Sequence, residues 1–189
     1  MNEKNISALE VQNRDAIRTL GQKSGVDIHS CYQCGKCSAG CPMAANMDLL
    51  PRQIIRYLQL GLLEDALNAK SPWVCASCHT CSARCPHEVE IAELMKAVRL
   101  EADRRRIRPV RTVSLFTRIY VKQIRWYGRS HELTMTALYN IGSGRVLQNF
   151  GFLPNMLAGG KLAILPDLTK NRKGVRKLIE NCEKEAAKR

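Results

Sequence analysis

The sequence predicts a mainly α protein in two parts: a helical domain carrying two cysteine loops, then a helical, basic extension. Three observations predict it. Apolar residues recur at helical spacing along much of the chain. Eight of the nine cysteines fall into two copies of one run. The charge is uneven: residues 1–99 hold 11 Lys+Arg against 10 Asp+Glu, whereas residues 100–189 hold 19 against 7.

Residues 5–20, with Ile6, Leu9, Ile17 and Leu20 on one face, predict an N-terminal helix. Leu50 to Leu60 has helical spacing, and Pro51 suits a first turn because its missing N–H would be unpaired there anyway. Gly61 interrupts that helix, and Leu62, Leu63, Ala66 and Leu67 continue as a second short one. Ser71-Pro72-Trp73 reads as a cap and helix start. Val89, Ile91, Leu94, Met95 and Val98 mark a further amphipathic helix that runs out at Arg104-Arg105-Arg106. In the basic half, Val110, Val113, Phe116, Ile119, Tyr120 and Ile124 again have helical spacing. Residues 133–160 contain one charge, Arg145, and several glycines, so a buried or partner-docked segment is expected there. Residues 172–187 predict a charged, exposed helix.

At 189 residues the chain has no room for a dinucleotide fold plus a substrate domain. Its start has no apolar signal core, and no run of 18 apolar residues offers a membrane span, so a cytoplasmic location is expected. In a reducing compartment, regularly spaced cysteines serve as metal ligands more often than as disulfides.

The two runs are explicit. Cys31-Tyr-Gln-Cys34-Gly-Lys-Cys37-Ser-Ala-Gly-Cys41-Pro42 reads C-x2-C-x2-C-x3-C-P, and Cys75-Ala-Ser-Cys78-His-Thr-Cys81-Ser-Ala-Arg-Cys85-Pro86 repeats it 44 residues later. This is the bacterial-type ligand run for [4Fe–4S] clusters. Three closely spaced cysteines can wrap three corners of one cubane, while the fourth faces away and ligates the neighbouring cluster. Cys31, Cys34, Cys37 and Cys85 are therefore assigned to one [4Fe–4S] cluster, and Cys41, Cys75, Cys78 and Cys81 to the other. Four-cysteine zinc sites, the competing reading, show separated C-x2-C pairs and not three cysteines in series. Two oxidised clusters with their thiolates carry about −4 together, which turns the front half acidic.

His79 and His87 stand beside complete cysteine sets and are read as bystanders, and Cys182 as a free thiol. Lys36 and Arg84 lie inside the ligand loops. No Walker A or Rossmann motif is present, since Gly142-Ser-Gly144 lacks both the strand and the third glycine. No general-base pair stands out either, so the expected task is electron transfer.

The runs, with Asp48-Leu-Leu-Pro-Arg-Gln-Ile-Ile-Arg-Tyr-Leu-Gln-Leu-Gly61 between them and Trp73-Val before the second, resemble the C subunit of heterodisulfide reductase over about residues 25–100. The resemblance implies an α-helical ferredoxin domain over 25–108, after an N-terminal helix over 1–24. A helical extension for subunit docking then occupies 109–189. It also implies a function. In that family the C subunit relays electrons from a flavin-containing A subunit to a disulfide-reducing B subunit, so the chain is expected to belong to an oxidoreductase complex while itself carrying electrons only. The ligand pattern is shared with iron–sulfur subunits of fumarate reductase and glycolate oxidase type, which stay open as alternatives. A nucleic-acid-binding redox sensor is the other alternative for so basic a tail, but no nucleic-acid motif is visible and aromatics are only 5%.

Overall fold

The computed structural model describes residues 6–146, 148, 151, 159 and 166–188. They form a mainly helical fold with no strand among the described residues. The chain divides into two compact units, Met1–Val110 and Arg111–Arg189.

In the first unit, α1 (Ile6–Ser24) is followed by a 3-10 turn at Ile28–Ser30 and the four-residue α2 (Lys36–Ala39). A second 3-10 turn at Ala44–Asn46 leads into α3 (Pro51–Gln59), α4 (Leu63–Asn68) and the short α5 (Ser71–Val74). The short α6 (Thr80–Ala83) and the long α7 (Ile91–Arg104) complete it. Helix α7 is the centre of packing: α1, α4, α5 and α6 all lie against it. The core is Ile54, Ile55 and Leu58 from α3, Leu63, Ala66 and Leu67 from α4, and Leu94, Met95 and Val98 from α7, each at most 2% exposed. Burying each of the larger of these side chains stabilises by about 1.5–3 kcal/mol. Ile17 and Leu20 bring α1 onto this core, while the side chains of Ile6 and Leu9 lie outside the described residues.

The chain reverses sharply after α3. Gly61 has φ 76°, Leu62 N–H donates to Tyr57 O (2.9 Å), and Gly61 N–H donates to Leu58 O (3.1 Å). This is a Schellman closure, and glycine suits it because other L-residues resist the left-handed conformation. Asn13 on α1 fastens the turn, its Nδ2 donating to Gly61 O at 3.1 Å.

Ser71 differs from its expected role. It is the first residue of α5 and does not cap it; the preceding residue is Lys70, and the cap comes from 22 residues away. The Asp48 carboxylate accepts from Lys70 N–H (2.7 Å), Ser71 N–H (3.0 Å) and the Ser71 hydroxyl (2.6 Å). Partial burial pushes the Asp48 carboxyl up, but these hydrogen bonds outweigh it and hold the group below its ordinary value.

The second unit contains α8 (Arg111–Tyr127), α9 (Glu132–Ser143) and α10 (Arg172–Lys188), with α9 and α10 both packed on α8. Gln123 is fully buried, and its Oε1 accepts from His131 N–H at 3.1 Å. His131 in turn caps α9 through Thr134. The apolar positions of α8 divide: Ile119 is buried, whereas Phe116 and Tyr120 stay exposed, stacked at 6.4 Å. Of the apolar segment 133–160, the first part is α9, and most of the remainder lies outside the described residues. No helix among the described residues is long and apolar enough to cross a membrane.

Candidate metal centre

The two cysteine runs build the same local structure twice. The residues flanking the second cysteine are left-handed in both: Gln33 (φ 67°) and Gly35 (85°) around Cys34, Ser77 (51°) and His79 (57°) around Cys78. These reversals curl each C-x2-C-x2-C segment into a tight loop. A four-residue helix follows, carrying the third cysteine, Cys37 on α2 and Cys81 on α6. Its last turn closes through the same two bonds in both copies. Gly40 N–H reaches Lys36 O and Arg84 N–H reaches Thr80 O, both at 3.2 Å. Cys41 N–H reaches Ser38 O (3.3 Å) as Cys85 N–H reaches Ser82 O (3.1 Å).

The serine after the third cysteine fixes each loop to the long helix behind it. Ser38 Oγ accepts from Arg52 N–H at 3.1 Å, and Ser82 Oγ accepts from Ala92 N–H at 3.3 Å. Arg52 and Ala92 are each the second residue of their helix, α3 and α7. Both serines thus satisfy an otherwise unpaired helix-start donor. Reading the sequence missed this role, although the signal was present: Cys-Ser-Ala-x-Cys occurs in both runs.

Helices α2 and α6 lie against each other. Gly40 and Arg84, which are equivalent positions of the repeat, meet there. A Cβ on Gly40 would fall 2.4 Å from an Arg84 guanidinium nitrogen. The runs differ at this position for a steric reason: the glycine of one leaves room for the arginine of the other.

The cysteines surround two cavities. One is lined by Cys31, Cys34, Cys37 and Cys85, with Lys36, Arg52 and His87 among its other walls. The other is lined by Cys41, Cys75, Cys78 and Cys81, with Met43, Met47 and Met95. In each, three cysteines come from one run and the fourth from the other. Among the described residues no three His, Cys, Asp or Glu side chains close on a point as a lone metal ion needs. The sulfurs stand around a space. Thiolates around a cavity suit a polynuclear iron–sulfur group better than a single zinc ion with bonds of about 2.3 Å.

The thiols repeat their electrostatics as well. The Lys36 backbone N–H holds the exposed Cys34 below its ordinary value, with the Tyr32 hydroxyl and the Lys36 charge adding to it. The Thr80 hydroxyl and N–H do the same for Cys78. Burial pushes Cys37 up and Cys81 up to about 11. A partly buried thiol resists ionisation until a positive partner compensates the thiolate, so ligation of a metal by such a thiol would be coupled to proton release.

Gln59 is another residue not anticipated. Its Nε2 donates to the carbonyls of Ile28 (3.0 Å) and Cys31 (2.8 Å), tying the start of the first loop to the end of α3. His87 packs on Tyr32, with ring centroids 4.6 Å apart, and lines the first cavity; His79 lines the second. Cys182 is exposed on α10.

Residues 27–89 match the model of the 4Fe–4S dicluster domain, a third of the chain. Curated relatives agree. The iron–sulfur C subunit of the CoB–CoM heterodisulfide reductase of Methanopyrus kandleri is 39% identical over 74 residues, covering 39% of this chain and 38% of that one. The second such C subunit of Methanocaldococcus jannaschii is 39% identical over 80 residues, 42% of each chain. A protein of Archaeoglobus profundus described as like the heterodisulfide reductase C subunit is 33% identical over 98 residues, 51% of this chain and 50% of that one. The aligned part thus spans about two fifths to one half of these relatives. Residues 27–89 thus match a 4Fe–4S dicluster domain, and in that part the chain is similar to the iron–sulfur C subunits of heterodisulfide reductase.

Proposed function

We propose that this chain is the electron-transfer subunit of a heterodisulfide reductase-like complex, relaying electrons from a flavin-containing A-type subunit to a disulfide-reducing B-type subunit. The observation that carries the reading is the pair of cavities, each lined by three cysteines of one run and the fourth of the other. Cys31, Cys34, Cys37 and Cys85 would hold one [4Fe–4S] cluster, and Cys41, Cys75, Cys78 and Cys81 the second. The clusters, when bound, supply one-electron chemistry.

The chain's own residues do the rest. The left-handed turns set the loops, and Ser38 and Ser82 anchor them to α3 and α7. The extension from residue 109 is read as the docking part. Phe116 and Trp126 on α8 are 49% and 46% exposed, which suits a partner surface, and Lys122 lies 4.5 Å over the Trp126 ring. The proposed setting is cytoplasmic.

Anaerobic co-purification tests the reading. The chain should come down with a flavoprotein and a second, cysteine-rich protein, and should contain about eight irons from two cubanes. Two zincs without iron would contradict the cofactor. Isolation as a salt-sensitive nucleic-acid complex would contradict the partners.

A further inference from the structure

We propose that the two cavities hold centres of unequal reduction potential, the one between Cys31, Cys34, Cys37 and Cys85 being the higher, with Arg52 and Lys36 setting the difference. The inference rests on the reading that each cavity holds one [4Fe–4S] cluster.

A cluster that accepts an electron gains a negative charge. Nearby cations and hydrogen-bond donors stabilise that charge, and apolar walls do not. The first cavity has Lys36 and Arg52 in its walls. The Arg52 side chain runs beside the ligand loop, its Cδ 3.8 Å and its Nε 4.0 Å from a Cβ placed on Gly35. Gln33 Nε2 lies 3.5 Å from Cys31 Sγ, and Val89 N–H points at Cys85 Sγ from 3.4 Å.

The walls of the second cavity contain no Lys, Arg, Asp or Glu. Pro42, Met43, Met47, Pro51, Ala92 and Met95 make most of the wall around the cysteines; His79 lines it as His87 lines the first, and Thr80 Oγ1 lies 3.4 Å from Cys78 Sγ. Other charges stand further off: Glu88 and Glu90 follow His87, and Arg84 lies over Gly40, but none of the three lines either cavity. The difference therefore rests on Arg52 and Lys36. An electron entering at the second centre passes to the first, which is reduced as the second is reoxidised, and comes to rest there.

A redox titration of the cluster-loaded chain followed by electron paramagnetic resonance tests this. Arg52→Gln should lower the higher midpoint by about 59 mV, a tenfold change in the reduced-to-oxidised ratio of a one-electron couple, and leave the lower midpoint in place. Arg52→Lys, which keeps the charge, should restore most of the loss. Met47→Lys, which brings a cation to the second cavity, should raise the lower midpoint and narrow the gap. If Arg52→Gln moved the lower midpoint, or neither, the inference would be overturned. Should Arg52→Gln fail to load, Met47→Lys decides, and a gap left unchanged or widened overturns the inference. A chain without two separate one-electron centres would overturn the reading beneath it instead.

Discussion

The loops at 31–42 and 75–86 share a backbone and differ in their surroundings. Both turn left-handed on either side of the second cysteine, both place the third on a four-residue helix, and both are pinned by a serine to the start of a long helix. The walls they help to enclose are cationic in one case and rich in methionine in the other. The backbone is therefore the part that ligand geometry constrains. The wall residues are free to vary, and variation there separates two otherwise equivalent sites.

The largest effect should come from the ligands. Cys34→Ser should remove one of two centres, halving iron from about eight to about four per chain and stopping electron flow through the complex; iron analysis and turnover with an artificial donor check it. Next is the core that both loops stand on. Leu58→Ala on α3, at 1% exposure, should cost about 2–5 kcal/mol of stability in a denaturation series.

Ser38→Ala and Ser82→Ala sharpen the comparison. Each removes one helix-start acceptor and should cost about 1 kcal/mol, nearly equally if the two anchors are equivalent. The left-handed residue after the second cysteine is glycine in one loop and histidine in the other, so the swaps should have opposite signs. Gly35→Ala should destabilise and His79→Gly stabilise, each by about 1 kcal/mol, read as shifts in melting temperature.

Asp48 gives the smallest effect, and it is pH-dependent. Its carboxyl is held below its ordinary value, so its contribution is present above about pH 4, the range of an unfolded aspartate, and is lost as pH falls through the folded value. The carboxylate touches water, and screening limits its worth to about 1 kcal/mol. Asp48→Asn should flatten the acid limb of stability without changing it below that range. A parallel drop at all pH values would contradict this.

Much of this was legible in the sequence, because cysteine spacing and helical periodicity are local signals. The doubled run, the break at Gly61 and the helices over 50–60 and 91–104 follow from residues close together in the chain. What the sequence did not reveal depends on distant pairs. Asp48 capping α5, Gln59 holding the Cys31 carbonyl and Gly40 making room for Arg84 link positions 22 to 44 residues apart. Ser71 was misread for the same reason: a serine before Pro-Trp has the local look of a cap, but its hydroxyl bonds to a carboxylate from another segment. In α8, periodicity marked the helix but could not say that Phe116 and Tyr120 would remain exposed.

The central claim is the crossing of the fourth cysteines. The most direct measurement compares the resonance signals of three loaded variants, Cys34→Ser, Cys78→Ser and Cys85→Ser. Cys85→Ser should perturb the signal that Cys34→Ser removes and leave intact the one that Cys78→Ser removes. If Cys85→Ser instead altered the Cys78 signal, each run would hold its own cluster, and the crossed assignment would be wrong.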